Sequence, residues 1–338
     1  MRPISRINTD IDFELNGKQV SCLAVPNSTN ESAYGTVTIP ITAINNGQGP
    51  TLLLTGGVHG DEHEGPVALM KLARALEPEE INGRVIIIPC LNLPAVLAAA
   101  RCSPIDGLNL NRIFPGERDG TITMTIAHYV AEVLAPMTDI QMDLHSGGKT
   151  LQYIPCAMMN EYEDKDLDSK CFAAIKAFGA PITLRDKILD STGLLTGVFE
   201  EKGVVAMGAE LGGAGMVSKD AVSIAEHGVM NILKHFNIIE GDIVTPDAQG
   251  RSPTKIARIQ DTQCYVMSPD DGLYEPFVEL GDRIEVGQPI GQVHYPQHVN
   301  KEPWTNIAPR SGFLLCKRPP GSVQRGDNVA IIAQHIEG

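Results

Sequence analysis

Apolar and polar positions along the first two thirds of the chain form two kinds of pattern. Short continuous apolar runs occupy residues 51–55, 84–91, 140–144 and 204–209, and helical periodicity occupies residues 66–76, 94–100, 126–134, 166–178 and 221–236. Apolar runs without alternation are typical of central strands that helices cover on both faces. An alternating segment at residues 34–43 predicts a strand at the edge of a mixed sheet. The pattern therefore predicts a three-layer α/β domain with a mixed central sheet over residues 1–245.

The pattern changes after residue 241. Residues 246–254 contain two prolines and a glycine, which is typical of a linker. Beyond them, short β-type segments alternate with glycine-containing turns, and no long helical pattern occurs. Two similar turns, at residues 281–284 and 326–329, each lead into an apolar strand. We therefore expect a smaller, all-β C-terminal domain at residues 255–338, built as a small barrel or sandwich.

Composition narrows the classes of protein to consider. The chain has 338 residues, of which 43% are hydrophobic and 20% charged, as in ordinary globular proteins. A formal charge of −14 disfavours nucleic-acid and anionic-membrane partners, because both require basic surfaces. The seven cysteines include no C-x-x-C pair, and no apolar run approaches the ~20 residues of a membrane span. We expect a cytoplasmic protein with no membrane partner.

The first apolar run leads into a turn that carries candidate metal ligands. Two glycines follow the run, and His59 and Glu62 come just before the helical pattern that begins at Pro66. An imidazole and a carboxylate on one strand-to-helix turn suit a four-coordinate metal such as zinc. On these residues alone, a polar loop with chance histidines is an equally good interpretation.

The same turn fits a second kind of metal site. The segment His59–His63 matches the H-x-x-E-H pattern, in which two histidines on one helical face bind zinc and the glutamate acts as base. That site requires a helix, and glycines at positions 56, 57 and 60 each cost roughly 1 kcal/mol there relative to alanine. The loop interpretation, with His59 and Glu62 as ligands, is favoured.

Polar residues follow four of the apolar strands. They are His59 and Glu62 after the first run, Arg101, Asn111 and Arg112 after the second, His145 at the end of the third, and Glu210 at the end of the fourth. In open α/β sheets, ligands bind beyond the carboxyl ends of the strands, so these residues are expected to meet in one site.

Each residue taken singly also has a structural interpretation. Arg101 could cap a surface helix, Asn111 and Arg112 could form a structural loop, and His145 could be a hydrogen-bonded core histidine. Glu210 is harder to explain structurally, because a carboxylate that ends an apolar strand is poorly solvated.

The order and spacing of these residues resemble the zinc carboxypeptidase fold group. Within that group the chain is similar, over nearly its whole length, to the succinylglutamate desuccinylase/aspartoacylase family, which also carries a β-rich C-terminal domain. The segments at residues 56–62 and 143–150 resemble the bacterial branch that deacetylates N2-acetyl-2,4-diaminobutyrate in ectoine breakdown. The resemblance implies one Zn²⁺ per chain on His59, Glu62 and His145, with a fourth position for water. It also implies Glu210 as the general base.

The same resemblance implies how the substrate is held. Arg101 would polarise the scissile carbonyl, and Asn111 with Arg112 would clamp the α-carboxylate, which an arginine fork suits. Asp190, between two α/β elements, is a candidate for meeting the side-chain ammonium of a basic substrate. Its alternative is the N-cap of the helix expected after it.

The expected function is zinc-dependent hydrolysis of a small N-acyl amino acid, with N2-acetyl-L-2,4-diaminobutyrate giving acetate and diaminobutyrate. The C-terminal domain of the family narrows the entrance to the site, which favours small substrates, and a homo-oligomer is expected. The alternatives are an aspartoacylase- or succinylglutamate-desuccinylase-like deacylase, a metallocarboxypeptidase and a non-catalytic binding protein. A lipoyl-type carrier would need an exposed hairpin lysine, for which the C-terminal glycine-rich region offers only Lys301.

Overall fold

The computed structural model describes residues 4–186 and 191–337. The strands are β1 (Gly17–Pro26), β2 (Thr36–Asn46), β3 (Thr51–Gly56), β4 (Gly83–Ile88), β5 (Ile140–His145), β6 (Gln152–Tyr153), β7 (Cys156–Asn160), β8 (Ile182–Asp186), β9 (Val205–Glu210), β10 (Lys255–Arg258), β11 (Tyr265–Met267), β12 (Gly272–Pro276), β13 (Arg283–Ile284), β14 (Pro289–His294), β15 (Trp304–Ile307), β16 (Gly312–Lys317), β17 (Ser322–Val323) and β18 (Asn328–His335). The α-helices are α1 (Glu64–Ala75), α2 (Leu93–Leu97), α3 (Ile122–Tyr129), α4 (Lys165–Phe178), α5 (Leu195–Glu200) and α6 (Lys219–His235).

A large mixed sheet forms the centre of the molecule, in the order β1-β2-β4-β3-β5-β9-β7-β8-β10-β18-β16-β13. Strands β4, β3, β5 and β9 are parallel neighbours, so their carboxyl ends lie at one edge. Leu52 and Leu54 belong to the apolar core on one face of β3, and Leu53 belongs to the core on the other face. Burial on both faces explains the continuous apolar runs and confirms the predicted three-layer α/β fold.

The helices divide between the two faces of this sheet. The core that includes Leu52 takes its helical side chains from α1, α4 and α6. The opposite core takes them from α3 and α5. This arrangement leaves the carboxyl edge of the parallel strands open for loops and ligands.

The C-terminal strands form the all-β unit that the sequence predicts and share an apolar core of their own, but part of this unit also continues the large sheet. Strands β12, β14, β15 and β17 form a four-stranded antiparallel sheet, whereas β10, β16 and β18 continue the large sheet. The continuity arises because β10 pairs in parallel with β8 of the α/β unit. The division into domains at residues 1–245 and 255–338 stays a proposal.

Other differences lie at the ends of the predicted elements. Strand β2 is not the sheet edge, because β1 pairs antiparallel outside it. The mixed exposure of β1 leaves only a weak alternating pattern in its sequence. The predicted helix at residues 126–134 is α3 continued by a π-helical turn over Val130–Leu134.

Among the helices within residues 4–186 and 191–337, none combines the length and hydrophobicity that crossing a bilayer requires.

Candidate functional site

The loop between β3 and α1 is shaped by glycines. Gly57 has a φ of +63°, which favours glycine, and a Cβ at Gly60 would lie 1.9 Å from the carbonyl carbon of Ala95. The loop is therefore pressed against α2. Residues 59–62 are not helical, and His63 is only the N-cap of α1. The H-x-x-E-H interpretation is wrong, because the helical face that it needs is not formed.

Both histidines of the candidate metal site point Nδ1 at Glu62. His59 Nδ1 lies 2.8 Å from Glu62 Oε1, and His145 Nδ1 lies 2.7 Å from Glu62 Oε2. Ligand atoms of all three residues lie within 4.8 Å of one another. Burial opposes ionisation of Glu62, but the charge of His145 and the hydrogen bonds from both rings hold its pKa below the usual range.

The second nitrogen of each ring is held by another side chain. His59 Nε2 lies 3.1 Å from Asn109 Oδ1, and His145 Nε2 lies 2.7 Å from Asp143 Oδ2. When a metal takes the place of the Nδ1 proton, an oxygen at Nε2 holds the proton that remains on the ring. Burial would lower the pKa of His145, but the charges of Asp143 and Glu62 raise it well above its usual value.

The donor set fits a borderline divalent cation. Two imidazole nitrogens and one carboxylate are the three protein ligands of many catalytic zinc sites. His59 and Glu62 come from the loop between β3 and α1, His145 comes from the end of β5, and His59 and Glu62 are buried. A cation of this kind would take the place of the hydrogen bonds that now join the two rings to Glu62.

Pairing between β5 and β9 places Glu210 beside the three candidate metal ligands. Glu210 pairs with His145 at the carboxyl ends of β9 and β5. Burial and the negative charge of Glu62 raise the pKa of Glu210 to about 8. Glu210 Oε2 is buried without a hydrogen-bond partner among the described residues. A buried carboxylate with a free oxygen is suited to exchanging a proton with a ligand.

The predicted cationic residues also reach the site. Arg101 Nη1 lies 3.2 Å from Glu62 Oε1, and 44% of its side chain remains exposed. Asn111 accepts the Leu195 N–H at 2.8 Å, and its amide nitrogen lies 3.4 Å from His145 Nε2. Arg112 is exposed and donates to the Asn111 carbonyl oxygen. Arg101 and Arg112 therefore present cations at the mouth of the site.

A cavity of about 350 Å³ joins these residues. Its lining includes seven of the eight residues named from the sequence: His59, Glu62, Arg101, Asn111, Arg112, His145 and Glu210. The C-terminal residues Tyr265, Asn328 and Ile331 also line it. The cavity is of a size that suits a small molecule.

The eighth residue, Asp190, lies outside the described residues. Helix α5 begins at Leu195, and its N-cap position is Leu194.

Sequence reasoning missed the residues that orient the two histidines. Asp143 and His145 are two apart on β5 and therefore project from the same face, which is a signal that the sequence did contain. Asn109 offered no comparable signal, because its approach to His59 depends on the loop between α2 and α3.

Residues 48–236 match the family model of the succinylglutamate desuccinylase/aspartoacylase catalytic domain. Over 333 residues the chain is 43% identical to the N-alpha-acetyl-L-2,4-diaminobutyric acid deacetylase of Halomonas elongata. That alignment covers 98% of this chain and 96% of the relative.

Solved structures give the same result for the fold. A succinylglutamate desuccinylase/aspartoacylase from Rhodobacter sphaeroides superposes with a TM-score of 0.93 at 40% identity, covering 98% of this chain and all of the other. A product-bound structure of the ectoine utilization protein EutE (DoeB) from Ruegeria pomeroyi gives a TM-score of 0.93 at 41% identity, covering 98% and 99%. The chain belongs to the succinylglutamate desuccinylase/aspartoacylase family.

Proposed function

We propose that the protein is a zinc-dependent amidohydrolase that converts N2-acetyl-L-2,4-diaminobutyrate and water into acetate and 2,4-diaminobutyrate. The observation that carries this proposal is the convergence of His59, Glu62 and His145 beside Glu210 in one small cavity. The 43% identity to the Halomonas deacetylase over almost the full chain supports the choice of substrate.

His59, Glu62 and His145 would hold the metal. A bound zinc ion supplies a Lewis acid that polarises a carbonyl and lowers the pKa of water to about 7. The surrounding groups keep the ligands ready, because Asp143 and Asn109 occupy the ring nitrogens that face away from Glu62.

Glu210 acts as general base and then as general acid. Its carboxylate takes a proton from the attacking water as the carbon–oxygen bond forms at the acyl carbonyl. It then gives that proton to the leaving amine as the amide carbon–nitrogen bond breaks. The partner-free oxygen of Glu210 supports this role, because that oxygen is available to water.

Two arginines each interact with a different negative charge of the substrate. Arg101, close to Glu62, meets the negative charge that develops on the carbonyl oxygen. Arg112, together with the amide of Asn111, binds the substrate α-carboxylate, for which a guanidinium is well shaped. Asp190 stays a prediction as a substrate-binding residue, as do the cytoplasmic location and the homo-oligomeric state.

The geometry favours this substrate over the alternatives. An aspartate- or glutamate-derived substrate has a second carboxylate that needs a further cation, yet Arg101 and Arg112 are the only lysine or arginine side chains among the described residues lining the cavity. A peptide substrate needs more space than a small N-acyl amino acid, and the C-terminal residues Tyr265 and Ile331 contribute to the wall of the cavity. In a carrier Lys301 would be free, whereas here its ammonium lies 3.3 Å from the centroid of the Tyr295 ring.

A substrate panel tests the proposal. Purified zinc-loaded protein is given N2-acetyl-L-2,4-diaminobutyrate, N-acetyl-L-aspartate, N2-succinyl-L-glutamate and an acetylated dipeptide, and the released acid or amine is measured. We expect the highest kcat/KM for the diaminobutyrate compound. A preference for N-acetylaspartate or succinylglutamate would contradict the proposed substrate while leaving the amidohydrolase chemistry standing.

A further inference from the structure

The cavity extends from the candidate metal site along one face of the central sheet. Ala206, Gly208 and Glu210 alternate along β9, and all three line the cavity. Alternate residues of a strand share a face, so the small residues at 206 and 208 leave a passage that leads away from Glu210. A Cβ at Gly208 would already lie 3.3 Å from Met158 Cγ, so a side chain there would narrow the passage.

The part of this passage beside Ala206 is polar and acidic, because β7 runs antiparallel to β9 and Asn160 lies two residues beyond Met158, the partner of Gly208. Asn160 on β7 and Glu200 at the end of α5 both line the cavity. Asn160 Nδ2 donates to Glu200 Oε1 at 2.7 Å, and Ser191 also hydrogen-bonds to Glu200. Both of these partners are neutral, so they orient the carboxylate without neutralising it. Burial raises the pKa of Glu200, because it removes the carboxylate from water, and a cation bound beside it would offset that loss.

We infer that Glu200 is the specificity-determining residue that receives the side-chain ammonium of the substrate. This inference rests on the proposed function. With the scissile amide beside Glu210 and the α-carboxylate at Arg112, the remaining substituent of the substrate enters the passage past Gly208. An ammonium group at its tip then meets an oriented carboxylate, which gives a charge-assisted contact. A carboxylate at the tip would be repelled, so the passage selects against acidic N-acyl amino acids.

The test compares two substrates of nearly identical shape. N2-acetyl-L-2,4-diaminobutyrate and N-acetyl-L-norvaline differ by an ammonium in place of a methyl group at the end of the side chain. In Glu200→Gln, kcat/KM for the diaminobutyrate compound should fall about ten- to a hundredfold, because that is the usual effect of losing a charge-assisted hydrogen bond. The kcat/KM for the norvaline compound should change little. Glu201→Gln is the matched control, because it removes the same charge from an exposed neighbouring residue. In that variant the ratio of the two substrates should stay at the wild-type value.

A second variant keeps the test decisive if Glu200→Gln does not fold. Gly208→Ala narrows the passage without removing a charge. We expect it to raise KM for the diaminobutyrate and norvaline compounds severalfold while sparing N-acetylglycine, which has no side chain.

Three outcomes would overturn the inference. They are equal losses on both substrates in Glu200→Gln, a selective loss in Asp190→Asn with none in Glu200→Gln, and equal effects of Gly208→Ala on long and short substrates. The proposed function fails separately, if the wild-type protein does not release acetate from the diaminobutyrate compound.

Discussion

The Asp143 carboxylate lies 2.7 Å from Nε2 of His145, two residues further along the same strand. The other Asp143 oxygen accepts a hydrogen bond from Thr55 on the neighbouring strand at 2.8 Å. Thr55 and Asp143 are partners on neighbouring strands, so the central sheet places the carboxylate that forms an ion pair with the His145 ring.

Asp143→Asn should therefore weaken metal binding without removing a ligand. We expect zinc affinity to fall about 10- to 100-fold, because the amide no longer stabilises the required tautomer. Competition with a chelator measures the affinity, and saturating zinc should restore most of kcat. Unchanged zinc affinity would show that Asp143 only supports the fold.

Replacement of His59, Glu62 or His145 by alanine should abolish metal binding and activity together. Each change removes one of three protein ligands, and the remaining two cannot hold a catalytic zinc firmly. His63→Ala is the control, because His63 lies outside the ligand group. Metal analysis of the purified variants gives the result. Loss of metal in His63→Ala together with its retention in Glu62→Ala would contradict the assignment.

Glu210→Gln should keep the metal and lose turnover. The change preserves size but removes the base, so kcat should fall by the ~10²–10⁴ typical of general-base loss. Near-normal turnover would exclude Glu210. Glu64 would then be the next candidate, although it lines a different cavity.

The pH dependence of the wild-type protein follows from the same residue. Glu210 must be ionised to accept a proton, so kcat/KM should fall as pH drops through its pKa. That pKa is about 8 in the metal-free protein, and a divalent cation nearby lowers it by favouring the carboxylate. In the zinc enzyme, the fall of kcat/KM at acidic pH should therefore have its midpoint below pH 8. The residual activity of Glu210→Gln should not show this fall. If Glu210→Gln shows the same fall of kcat/KM at acidic pH, the titrating group is another residue.

The two arginines should differ in their kinetic effects. Arg112→Ala removes a contact made equally in the ground and transition states, so KM should rise while kcat changes little. Arg101→Ala removes a contact that strengthens as charge develops on the carbonyl oxygen, so kcat should fall. Steady-state kinetics on N2-acetyl-L-2,4-diaminobutyrate separates the two. If kcat and KM change in the same way in Arg112→Ala and Arg101→Ala, the two arginines do not have these separate roles.

The sequence predicted the centre of the site better than its surroundings. His59, Glu62, His145 and Glu210 follow apolar runs whose burial on two faces is visible in the sequence, and parallel pairing brings the ends of those runs together. Glu200 gave no such signal, because its place in the cavity depends on how α5 packs beside β9. The sequence likewise contains no sign that β10 and β18 extend the large sheet, because pairing between strands that are far apart along the chain leaves little local pattern.

A zinc titration tests the central claim most directly. The protein is stripped of metal with a chelator, zinc is returned in steps, and acetate release from N2-acetyl-L-2,4-diaminobutyrate is followed in the same samples. We predict that activity is absent at first and rises linearly to a plateau at about one zinc per chain, the stoichiometry of a three-ligand catalytic site. Full activity in the stripped protein, or one tightly bound zinc per chain without acetate release, would contradict it.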